Sequence, residues 1–452
     1  MANRAAVILA AGQGTRMRST LPKVLHEVGG RPMIDWSIAV AKSVGCDRII
    51  VVCAPSAKAL QSHVEAQLGR DCIAIQDPPL GTGHAVSQAQ ETLRDFDGEL
   101  VVLCGDVPLI RSETVEALFA EIQSGAGIGV LGFEAADPGA YGRLITDADG
   151  NLEAIVEAKE ATPEQLAVSF CNSGVIGARS KTMFDLLSRV TNDNAKGEYY
   201  LTDIVGLARA DGATCRTVSC DEADVMGINT RVQLAEAEAA FQARKRSEVL
   251  ASGVTMTAPE KVFFSHDTVI ENDVTIEPNV VFAPGVTIRS GARVRAFSHL
   301  EGAEIGAGAS IGPYVRLRPG AVLEQGVKIG NFVEVKNTRM GEGAQASHLS
   351  YLGDGEIGAG ANIGAGTIFC NYDGFLKYKT TVGKGAFVGS NSALVAPVTI
   401  GDGAYVGSGS VITKDVEPNA LAVARGRQMQ KAGWATAFRD KMAAVKAAKK
   451  KG

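Results

Sequence analysis

The fold of this chain is decided by a sequence that runs from Ala303 to Lys328 and reads AEIGAGASIGPYVRLRPGAVLEQGVK. It places a bulky aliphatic residue at every sixth position, and Gly often follows that residue directly. The same period recurs in separate runs between Val269 and Ile412. The first run is Ile270, Ile276, Phe282, Ile288, Val294 and Leu300, and the second is Ile305, Ile311, Leu317, Leu323, Ile329 and Val335. After irregular sequence the period returns at Ile357, Ile363 and Phe369, and then at Val382, Val388, Leu394, Ile400, Val406 and Ile412. A period of six fits neither an α-helix nor an alternating strand. It is typical of a parallel β-helix, in which each face takes one hexad and each corner needs a small or positive-φ residue.

Length and charge limit the function classes. A chain of 452 residues predicts two or three domains. A net charge of −5 gives no electrostatic reason to expect nucleic acid binding, and we interpret the basic stretch Lys446–Lys451 as a solvated tail. The eight cysteines form no CxxC pair, which favours reduced thiols in a cytoplasmic protein. The sequence has neither a signal peptide pattern nor a run of ~20 apolar residues, so we expect no membrane insertion.

The part of the chain before the hexads alternates short apolar runs with helical patterns. We predict buried strands at Ala5–Leu9, Arg48–Val52 and Leu100–Leu103, and amphipathic helices at Pro32–Val44 and Ser112–Ile122. This order is typical of an α/β domain with a largely parallel sheet and helices on both faces.

Two further helices flank the repeat. Thr230–Leu250 has strong helix formers and no Gly or Pro, with Asn229 or Thr230 near its cap, and Trp434–Lys450 forms a terminal helix pattern. We therefore predict an α/β domain over 1–229, a linker helix over 230–250, a β-helix over 251–428, and a C-terminal helix with a basic tail over 429–452.

A first candidate site follows the first strand, which runs into Ala10–Met17, AAGQGTRM. Glycines such as Gly12 and Gly14 let backbone N–H groups approach phosphate oxygens, and Arg16 and Lys23 add the positive charge that a triphosphate needs. An ordinary βα turn is the alternative. The third Gly of a dinucleotide fingerprint is absent, which argues against a nicotinamide or flavin cofactor.

The string LAAGQGTRMRSTLPK, from Leu9 to Lys23, resembles the signature of the sugar nucleotidyltransferases. The resemblance continues in order through Gln76, Gly81–Ala85, Leu103–Leu109, Tyr141–Arg143, Ile155–Glu157, Asn172–Gly174 and Gly227–Asn229. It implies nucleotide and sugar binding by Leu9, Gly12, Gly14, Arg16, Lys23, Gln76, Gly81, Thr82, Gly142, Glu157, Asn172 and Asn229. Cys104 departs from the pattern, because close relatives usually carry Tyr there, and we expect it to be a buried apolar residue.

The chemistry of that family gives Asp106 and Asn229 a role. A sugar 1-phosphate attacks the α-phosphate of a nucleotide and expels pyrophosphate, so the catalyst must position two anions and neutralise charge. Mg²⁺ does this with few protein ligands. We expect Asp106, at a strand's carboxyl end, to bind it together with Asn229. A turn aspartate is the alternative for Asp106, and a helix cap is the alternative for Asn229.

A second candidate site lies where the hexad ladder is interrupted. One interruption contains Ser347–Asp354, with His348 and Tyr351, and the other is the excursion Cys370–Thr380, with Asn371 and Tyr372. A structural ladder has no use for His, Tyr and Asn grouped in this way. A surface histidine is the alternative for His348 alone.

These strings resemble the acetyltransferase half of the bifunctional bacterial N-acetylglucosamine-1-phosphate uridyltransferase/glucosamine-1-phosphate acetyltransferases, and the match covers essentially the whole chain. The resemblance implies a Rossmann-like α/β nucleotidyltransferase domain followed by a left-handed parallel β-helix, and homotrimers with acetyl sites between subunits. It implies a cytoplasmic enzyme that acetylates glucosamine 1-phosphate with acetyl-CoA. The product, N-acetylglucosamine 1-phosphate, then reacts with UTP to give UDP-N-acetylglucosamine for peptidoglycan and lipopolysaccharide.

The same resemblance assigns residues in the β-helix. His348 would be the general base, since an imidazole titrates near the working pH. Arg318 and Lys336 would hold the sugar phosphate. The sugar and the attacked thioester would be lined by Tyr351, Asn362, Asn371 and Tyr372. Acetyl-CoA would be held by Ala365, Ser390, Ser408 and Arg425, where position 408 is more often Ala in relatives.

Two other functions share this architecture. In one, the β-helix only regulates or assembles a single-activity nucleotidyltransferase, as in ADP-glucose pyrophosphorylases. The grouping of His348, Tyr351 and Asn371–Gly374 argues against that reading. In the other, the chain is a non-enzymatic assembly protein, and the intact Gly12–Lys23 stretch and Asp106 argue against it.

Overall fold

A computed structural model describes residues 3–194 and 196–449 of the chain. The chain divides into two compact units. The first runs to Val249 and includes Phe264–His266, and the second comprises Leu250–Phe263 and the chain from Asp267 onward. The two ends of the chain lie outside the described residues, and they include Lys450 and Lys451 of the predicted basic tail.

The first unit is an α/β domain. Its strands are β1 Arg4–Leu9, β2 Glu27–Val28, β3 Arg31–Pro32, β4 Cys46–Cys53, β5 Ile73–Ile75, β6 Glu99–Cys104, β7 Ile128–Glu134, β8 Arg143–Thr146, β9 Leu152–Val156, β10 Phe170–Arg179 and β11 Cys215–Cys220. The helices of the chain are α1 Met33–Ser43, α2 Lys58–Leu68, α3 Thr82–Ser87, α4 Ser112–Gln123, α5 Pro163–Leu166, α6 Ser180–Leu187, α7 Asp203–Ala210, α8 Arg231–Ala251 and α9 Trp434–Lys449. The five predicted strands and helices of this unit are confirmed, with ends shifted by at most two residues.

The central sheet has the order β11-β7-β10-β6-β1-β4-β5, with β8 and β9 attached beside β10. The strands around β1 are parallel, and β10 is antiparallel to both of its neighbours. Side chains of β1 alternate between two buried cores. Ala6 and Ile8 pack under α1, α2 and α4, whereas Ala5 and Val7 pack under α3, α6 and α7. The predicted covering of both sheet faces is therefore confirmed, and the carboxyl ends of β1 and β6 lie side by side.

Helix α8 is anchored on the first unit. Its buried residues Ala237 and Phe241 pack with Val28, Met33 and Leu109. The hydroxyl of Thr230 accepts a hydrogen bond from the N–H of Gln233 at 3.2 Å, so Thr230 is the residue that caps the helix. The side chain of Asn229 is thereby left for another partner.

The second unit is a parallel β-helix with three faces. One face carries Thr255–Met256, Thr275–Ile276, Arg293–Val294, Ser310–Ile311, Lys328–Asn331, Gln345–His348, Asn362–Ile363, Phe387–Val388, Tyr405–Val406 and Leu421–Ala422. The next carries Val262–Phe263, Val280–Phe282, His299–Leu300, Arg316–Leu317, Ile368–Cys370, Ala393–Val395 and Val411–Ile412. The third carries Val269–Ile270, Thr287–Ile288, Ala303–Ile305, Ala321–Leu323, Thr380–Val382 and Val398–Ile400. Two longer strands, Glu334–Met340 and Tyr351–Ile357, run through a corner and belong to both of the last two faces.

The hexad residues fill the interior of this prism. From Ile276 to Ile412 they are at most 4% exposed, and Ile270 at the first coil is half-buried. The glycines that follow them are needed for close approach between coils. A Cβ on Gly306 would lie 2.5 Å from the backbone of Glu324, and one on Gly364 would lie 2.6 Å from the amide nitrogen of Ser390. The hexad therefore combines an inward apolar residue with a neighbour that admits the next coil.

The two interruptions of the ladder have different structures. In the first, partners on one face remain evenly spaced, since Lys328 pairs with Gln345 and Gln345 pairs with Asn362. In the second, Asn362 pairs with Phe387, so that coil is longer by the excursion around Asn371–Lys379. The first interruption is thus a straightened corner, and only the second is an inserted loop.

Candidate functional sites

A cavity of about 500 Å³ opens at the carboxyl ends of β1 and β6. It brings together seven of the predicted residues, namely Leu9, Gly12, Lys23, Gln76, Gly81, Thr82 and Asp106. Gln13, Pro79, Cys104 and Glu198 also line it. Arg16 is exposed on the short turn Thr15–Met17 and does not lie on the cavity wall.

The glycine loops of this cavity are shaped by contacts that no side chain would permit. Gly14 has φ 61°, and a Cβ there would lie 2.7 Å from Cβ of Lys23. Gly81 has φ 107°, and a Cβ there would lie 2.6 Å from the carbonyl oxygen of Tyr199. Both positions therefore require glycine, and their backbone groups can approach a ligand closely.

The second loop is held by a buried amide. The side chain of Gln76 is 5% exposed and donates from Nε2 to the carbonyl of Gly81 at 2.9 Å. On the other side of the loop, the hydroxyl of Thr82 accepts from the N–H of Leu201 at 3.0 Å. A rigid loop with a polar buried anchor is suited to reading the edge of a planar base.

The side chains of Asp106 and Asn229 both contact the ammonium group of Lys23. The ammonium Nζ of Lys23 lies 2.5 Å from Oδ2 of Asp106 and 3.0 Å from Oδ1 of Asn229. The backbone N–H of Ile228 donates to the carbonyl of Asp106 at 3.0 Å and fixes the two segments together. A carboxylate and an amide oxygen are the ligands that a hard divalent cation prefers. The donor set therefore fits such a cation, for which the ammonium stands in.

Metal coordination here would use few protein groups. Within residues 3–194 and 196–449, no three His, Cys, Asp or Glu side chains converge on a metal-sized site. A cation bound by Asp106 and Asn229 would complete its shell with water and phosphate oxygens, as Mg²⁺ commonly does.

The predicted sugar residues form a neighbouring wall. Gly142 accepts from the N–H of Asn172 at 2.8 Å, and a Cβ on Gly142 would lie 3.8 Å from Oε1 of Glu157. Burial raises the pKa of Glu157 above its usual range. Cys104 joins this wall to the cavity, because its thiol lies 3.9 Å from the carbonyl oxygen of Gly174.

Cys104 packs against the apolar core as expected, but it also reaches the cavity. It is half-buried on the cavity wall, two residues before Asp106. Burial, together with the charge of Asp106, raises the pKa of Cys104 to about 12. The side chain therefore presents a neutral thiol to whatever fills the cavity.

In the second unit, His348 is held by an amide. Its ring nitrogen Nδ1 lies 2.9 Å from Oδ1 of Asn331, the residue opposite it in the adjacent coil. An amide oxygen can only accept, so Nδ1 carries the hydrogen and the Nε2 lone pair is available. His348 itself is exposed. This arrangement is suited to taking a proton at Nε2.

The corner beyond His348 gathers the predicted sugar-phosphate residues. Lys336 Nζ lies 3.3 Å from Asp354 Oδ1, and Asn371 Nδ2 donates to Asp354 Oδ2 at 2.5 Å. A Cβ on Gly353 would meet both the hydroxyl of Tyr351 and the amide nitrogen of Asn371, so these side chains lie side by side. Asp354 is thus the carboxylate that ties the group together.

The groups around Asp354 stabilise its ionised form. Burial opposes its ionisation, but hydrogen bonds from Asn337, Asn371 and Lys336 outweigh burial and hold the pKa of Asp354 below its usual value. The neighbouring ammonium of Lys336 lowers the pKa of Lys377. A cavity of about 590 Å³ lies against this group, lined in part by Asp354 and Lys377. Two adjacent ammonium groups favour an anionic ligand there.

Arg318 contacts a different carboxylate. Its Nη1 donates to Oε1 of Glu334 at 2.9 Å, and Glu334 stands opposite Tyr351 in the ladder. Tyr372 is more exposed, and its hydroxyl donates to the carbonyl of Gly374 at 2.5 Å within the excursion. Asn362 is half-buried, one coil beyond Gln345.

The four residues predicted to bind acetyl-CoA form one column. The N–H of Asn391 donates to Ala365 O, the N–H of Gly409 donates to Ser390 O, and Arg425 Nη1 donates to Ser408 O at 2.5 Å. The N–H of Gly366 donates in turn to His348 O at 3.3 Å. The column therefore begins at His348. Ala365, Ser390, Ser408 and Arg425 follow it on successive coils.

Sequence reasoning missed several residues that shape these sites. Asn331 and Asp354 were given no role, because their partners lie one coil away, at a separation of 17 residues in each case. Lys377 and Glu198 were also missed. A polar residue opposite a candidate catalytic residue, one coil earlier, is the signal that could have identified Asn331.

Comparison with known proteins agrees with this division. A profile of the MobA-like NTP transferase domain matches residues 6–171, and that of the bacterial transferase hexapeptide (six repeats) matches 267–302, 302–337 and 379–414. With the parallel ladder of three faces, these repeats make the second unit a left-handed parallel β-helix.

Three relatives match along the whole chain, each named Bifunctional protein GlmU. That of Hyphomonas neptunium is 65% identical over 99% of this chain and 97% of its own length. That of Caulobacter vibrioides is 56% identical over 99% and 96%. That of Paramagnetospirillum magneticum is 52% identical over 98% of each chain.

Proposed function

The chain belongs to the GlmU family of bifunctional proteins, and from this premise we propose how its two sites divide the work. The enzyme makes UDP-N-acetylglucosamine from small-molecule substrates. It acetylates glucosamine 1-phosphate with acetyl-CoA, and it transfers a uridylyl group from UTP to N-acetylglucosamine 1-phosphate. The observation that supports the division is the pair of separate clusters, Asp106 with Asn229 in the first unit and His348 with Asn331 in the second.

Uridylyl transfer belongs to the cavity of the first unit. A phosphate oxygen of the sugar phosphate attacks the α-phosphorus of UTP, the bond to the bridging oxygen breaks, and pyrophosphate leaves. The loops at Gly12–Gly14 and Gly81 offer backbone N–H groups to phosphate and base. Transfer requires a divalent metal, which we propose is Mg²⁺ held by Asp106 and Asn229. Bound there, it would neutralise charge that develops on the phosphate oxygens.

Sugar recognition in this site falls to Gly142, Glu157 and Asn172. The carboxylate of Glu157, the amide of Asn172 and the backbone of Gly142, which has no side chain, can hydrogen-bond the hydroxyl and acetamido groups of an N-acetyl sugar. We assign Leu9, Gln76 and Thr82 to the nucleotide side.

Acetyl transfer belongs to the β-helix. The amine of glucosamine 1-phosphate attacks the thioester carbon, the C–S bond breaks, and coenzyme A leaves as a thiol once the proton that His348 takes from the amine reaches its sulfur. His348 takes the amine proton at Nε2. This nitrogen is free to accept it because Asn331 holds the ring hydrogen on Nδ1. Arg318 and Lys336 hold the phosphate, and Tyr351, Asn362, Asn371 and Tyr372 line the sugar. Acetyl-CoA lies along the column Ala365, Ser390, Ser408 and Arg425.

We further propose that the enzyme is a homotrimer, supported by exposed apolar side chains at one edge of the prism. Phe297, Tyr314 and Phe332 stack with ring centroids 5.0 and 5.2 Å apart, and Leu349 extends the column. All four have positive φ, a conformation that costs a residue with a side chain roughly 1–2 kcal/mol. Exposed columns of this kind mark interaction sites. Because Leu349 directly follows His348, the proposed interface is continuous with the acetyl site.

The predicted segment boundaries, 1–229, 230–250, 251–428 and 429–452, stay part of this proposal, as does the cytoplasm as the place of action. The scattered cysteines support that location. None of the helices within the described residues has the length and apolarity that a bilayer crossing requires.

One assay tests the division. The full chain is given glucosamine 1-phosphate, acetyl-CoA, UTP and Mg²⁺, and free thiol and pyrophosphate are followed separately. Asp106→Ala should abolish pyrophosphate release from N-acetylglucosamine 1-phosphate and leave thiol release close to normal. His348→Ala should cut thiol release by roughly 10²–10⁴-fold and leave uridylyl transfer intact. Loss of both activities in either variant, with the protein folded, would contradict two independent sites.

A further inference from the structure

The proposed metal site already holds a cation that belongs to the protein. Lys23 Nζ contacts Asp106 Oδ2 at 2.5 Å and Asn229 Oδ1 at 3.0 Å. The side chain of Lys23 is 11% exposed and that of Asp106 is 23% exposed, so water screens the pair only partly. Both side chains assigned to the metal are thus engaged by one ammonium group.

An ammonium and a divalent cation cannot share these oxygens. Mg²⁺ binds oxygen at about 2.0–2.1 Å, whereas the ammonium lies at hydrogen-bond distance in the same space, and the two positive charges repel. Resting on the proposed uridyltransferase site, we infer that Lys23 is an internal cation that closes the metal site until a nucleotide arrives. The phosphates then draw Lys23 away, and the divalent metal takes its place beside Asp106.

The geometry gives Lys23 a short path. A Cβ on Gly14 would lie 2.7 Å from Cβ of Lys23, so the base of this side chain is fixed under the glycine loop. Lys23 lines the same cavity as Gly12, Gln13 and Asp106. Rotation of the side chain alone can therefore carry the ammonium from the carboxylate to phosphates at the loop.

The exchange keeps charge balanced at each stage. Before binding, the single negative charge of Asp106 is matched by Lys23. With nucleotide bound, Asp106 faces the metal, and Lys23 faces the polyanion that the glycine loop holds. Metal and nucleotide should consequently bind with positive coupling, because each removes an obstacle to the other.

The test measures metal binding without nucleotide. Mn²⁺, alone, is titrated into the full-length protein and free Mn²⁺ is read by electron paramagnetic resonance. Lys23→Met removes the charge and keeps most of the volume, and Lys23→Gln serves as a second variant. Lys58→Met is the matched control, because Lys58 is exposed on α2 and its ammonium donates to Oε1 of Gln61 at 3.2 Å, away from the metal site. Thermal unfolding of each variant verifies that it is folded.

Lys23→Met should bind Mn²⁺ about tenfold to a hundredfold more tightly than the wild type, which corresponds to loss of one charged hydrogen bond. Lys58→Met should match the wild type, and adding Asp106→Ala to Lys23→Met should remove the gain. Suppose that Lys23→Met and Lys23→Gln bind Mn²⁺ no more tightly than the wild type, and that Asp106→Ala abolishes this binding. The role of Lys23 is then overturned, and Asp106 remains a metal ligand. If Asp106→Ala changes Mn²⁺ binding in none of these proteins, the metal assignment itself is overturned.

Discussion

The contact between Asn331 and His348 allows a sharp test of the acetyl site. Asn331 Oδ1 lies 2.9 Å from His348 Nδ1 and fixes the tautomer with a basic Nε2. Asn331→Leu removes that acceptor and nearly preserves the volume. Loss of one neutral hydrogen bond is worth about 0.5–1.5 kcal/mol, so acetyl transfer should fall roughly 2- to 12-fold. This loss is far smaller than the roughly 10²–10⁴-fold expected when the base itself is removed.

Asn331→Asp separates orientation from charge. The carboxylate still accepts from Nδ1, but it also stabilises the protonated imidazole. The acid limb of the kcat/KM profile should therefore move to higher pH, with little loss of activity at high pH.

The assay is the pH–rate profile of acetyl transfer for the wild type, both Asn331 variants and His348→Ala. Uridylyl transfer, measured on the same samples, controls for folding and concentration. An acid limb that stays in place in Asn331→Asp, or that persists in His348→Ala, would show that another group carries the titration. The reasoning from the Asn331 contact would then be refuted.

Three further outcomes follow from the geometry. Gly81→Ala places a Cβ 2.6 Å from Tyr199 O at φ 107°, so it should raise KM for UTP and lower stability by about 1–3 kcal/mol in thermal unfolding, with acetyl transfer unchanged. Asp354→Asn should raise KM for glucosamine 1-phosphate. Because the folded pKa of Asp354 is depressed, its stabilisation is complete above the unfolded value near pH 4 and is lost as pH falls further, so chemical unfolding of wild type and variant should converge in acid and differ at pH 7. Phe332→Asp should convert the trimer to a smaller species in light scattering and reduce acetyl transfer alone.

Much of the fold was predictable because its signals are local. The hexad residues between Ile276 and Ile412 are buried, as the period required. The strand at Ala5–Leu9 and the glycine loop after it were recognised from a few adjacent residues. Helix boundaries were close for the same reason, since Thr230 caps α8 through Gln233, three residues away.

The candidate sites were predicted less completely. Residue types and resemblance identified Lys23, Asp106 and Asn229, and the structure places them together, but all three appeared as separate ligands for phosphate or metal. That the ammonium bridges both oxygens depends on contacts 83 and 206 residues apart in the chain. Arg16 was expected at the phosphates, whereas in the structure it is exposed on the turn Thr15–Met17 and does not line the cavity.

The sequence by itself determined the order of the two units, the six-residue period and the chemistry-bearing strings, because each depends on neighbours along the chain. Tertiary structure decided which of those residues touch. Asn331 meets His348, and Asp354 meets Asn371, only because stacked coils bring residues 17 positions apart into register. That register depends on how each corner is built, including the straight run through Glu334–Met340 and the loop inserted in the coil after Asn362. A repeat fixes the direction of each side chain, but the stacking of coils fixes its partner.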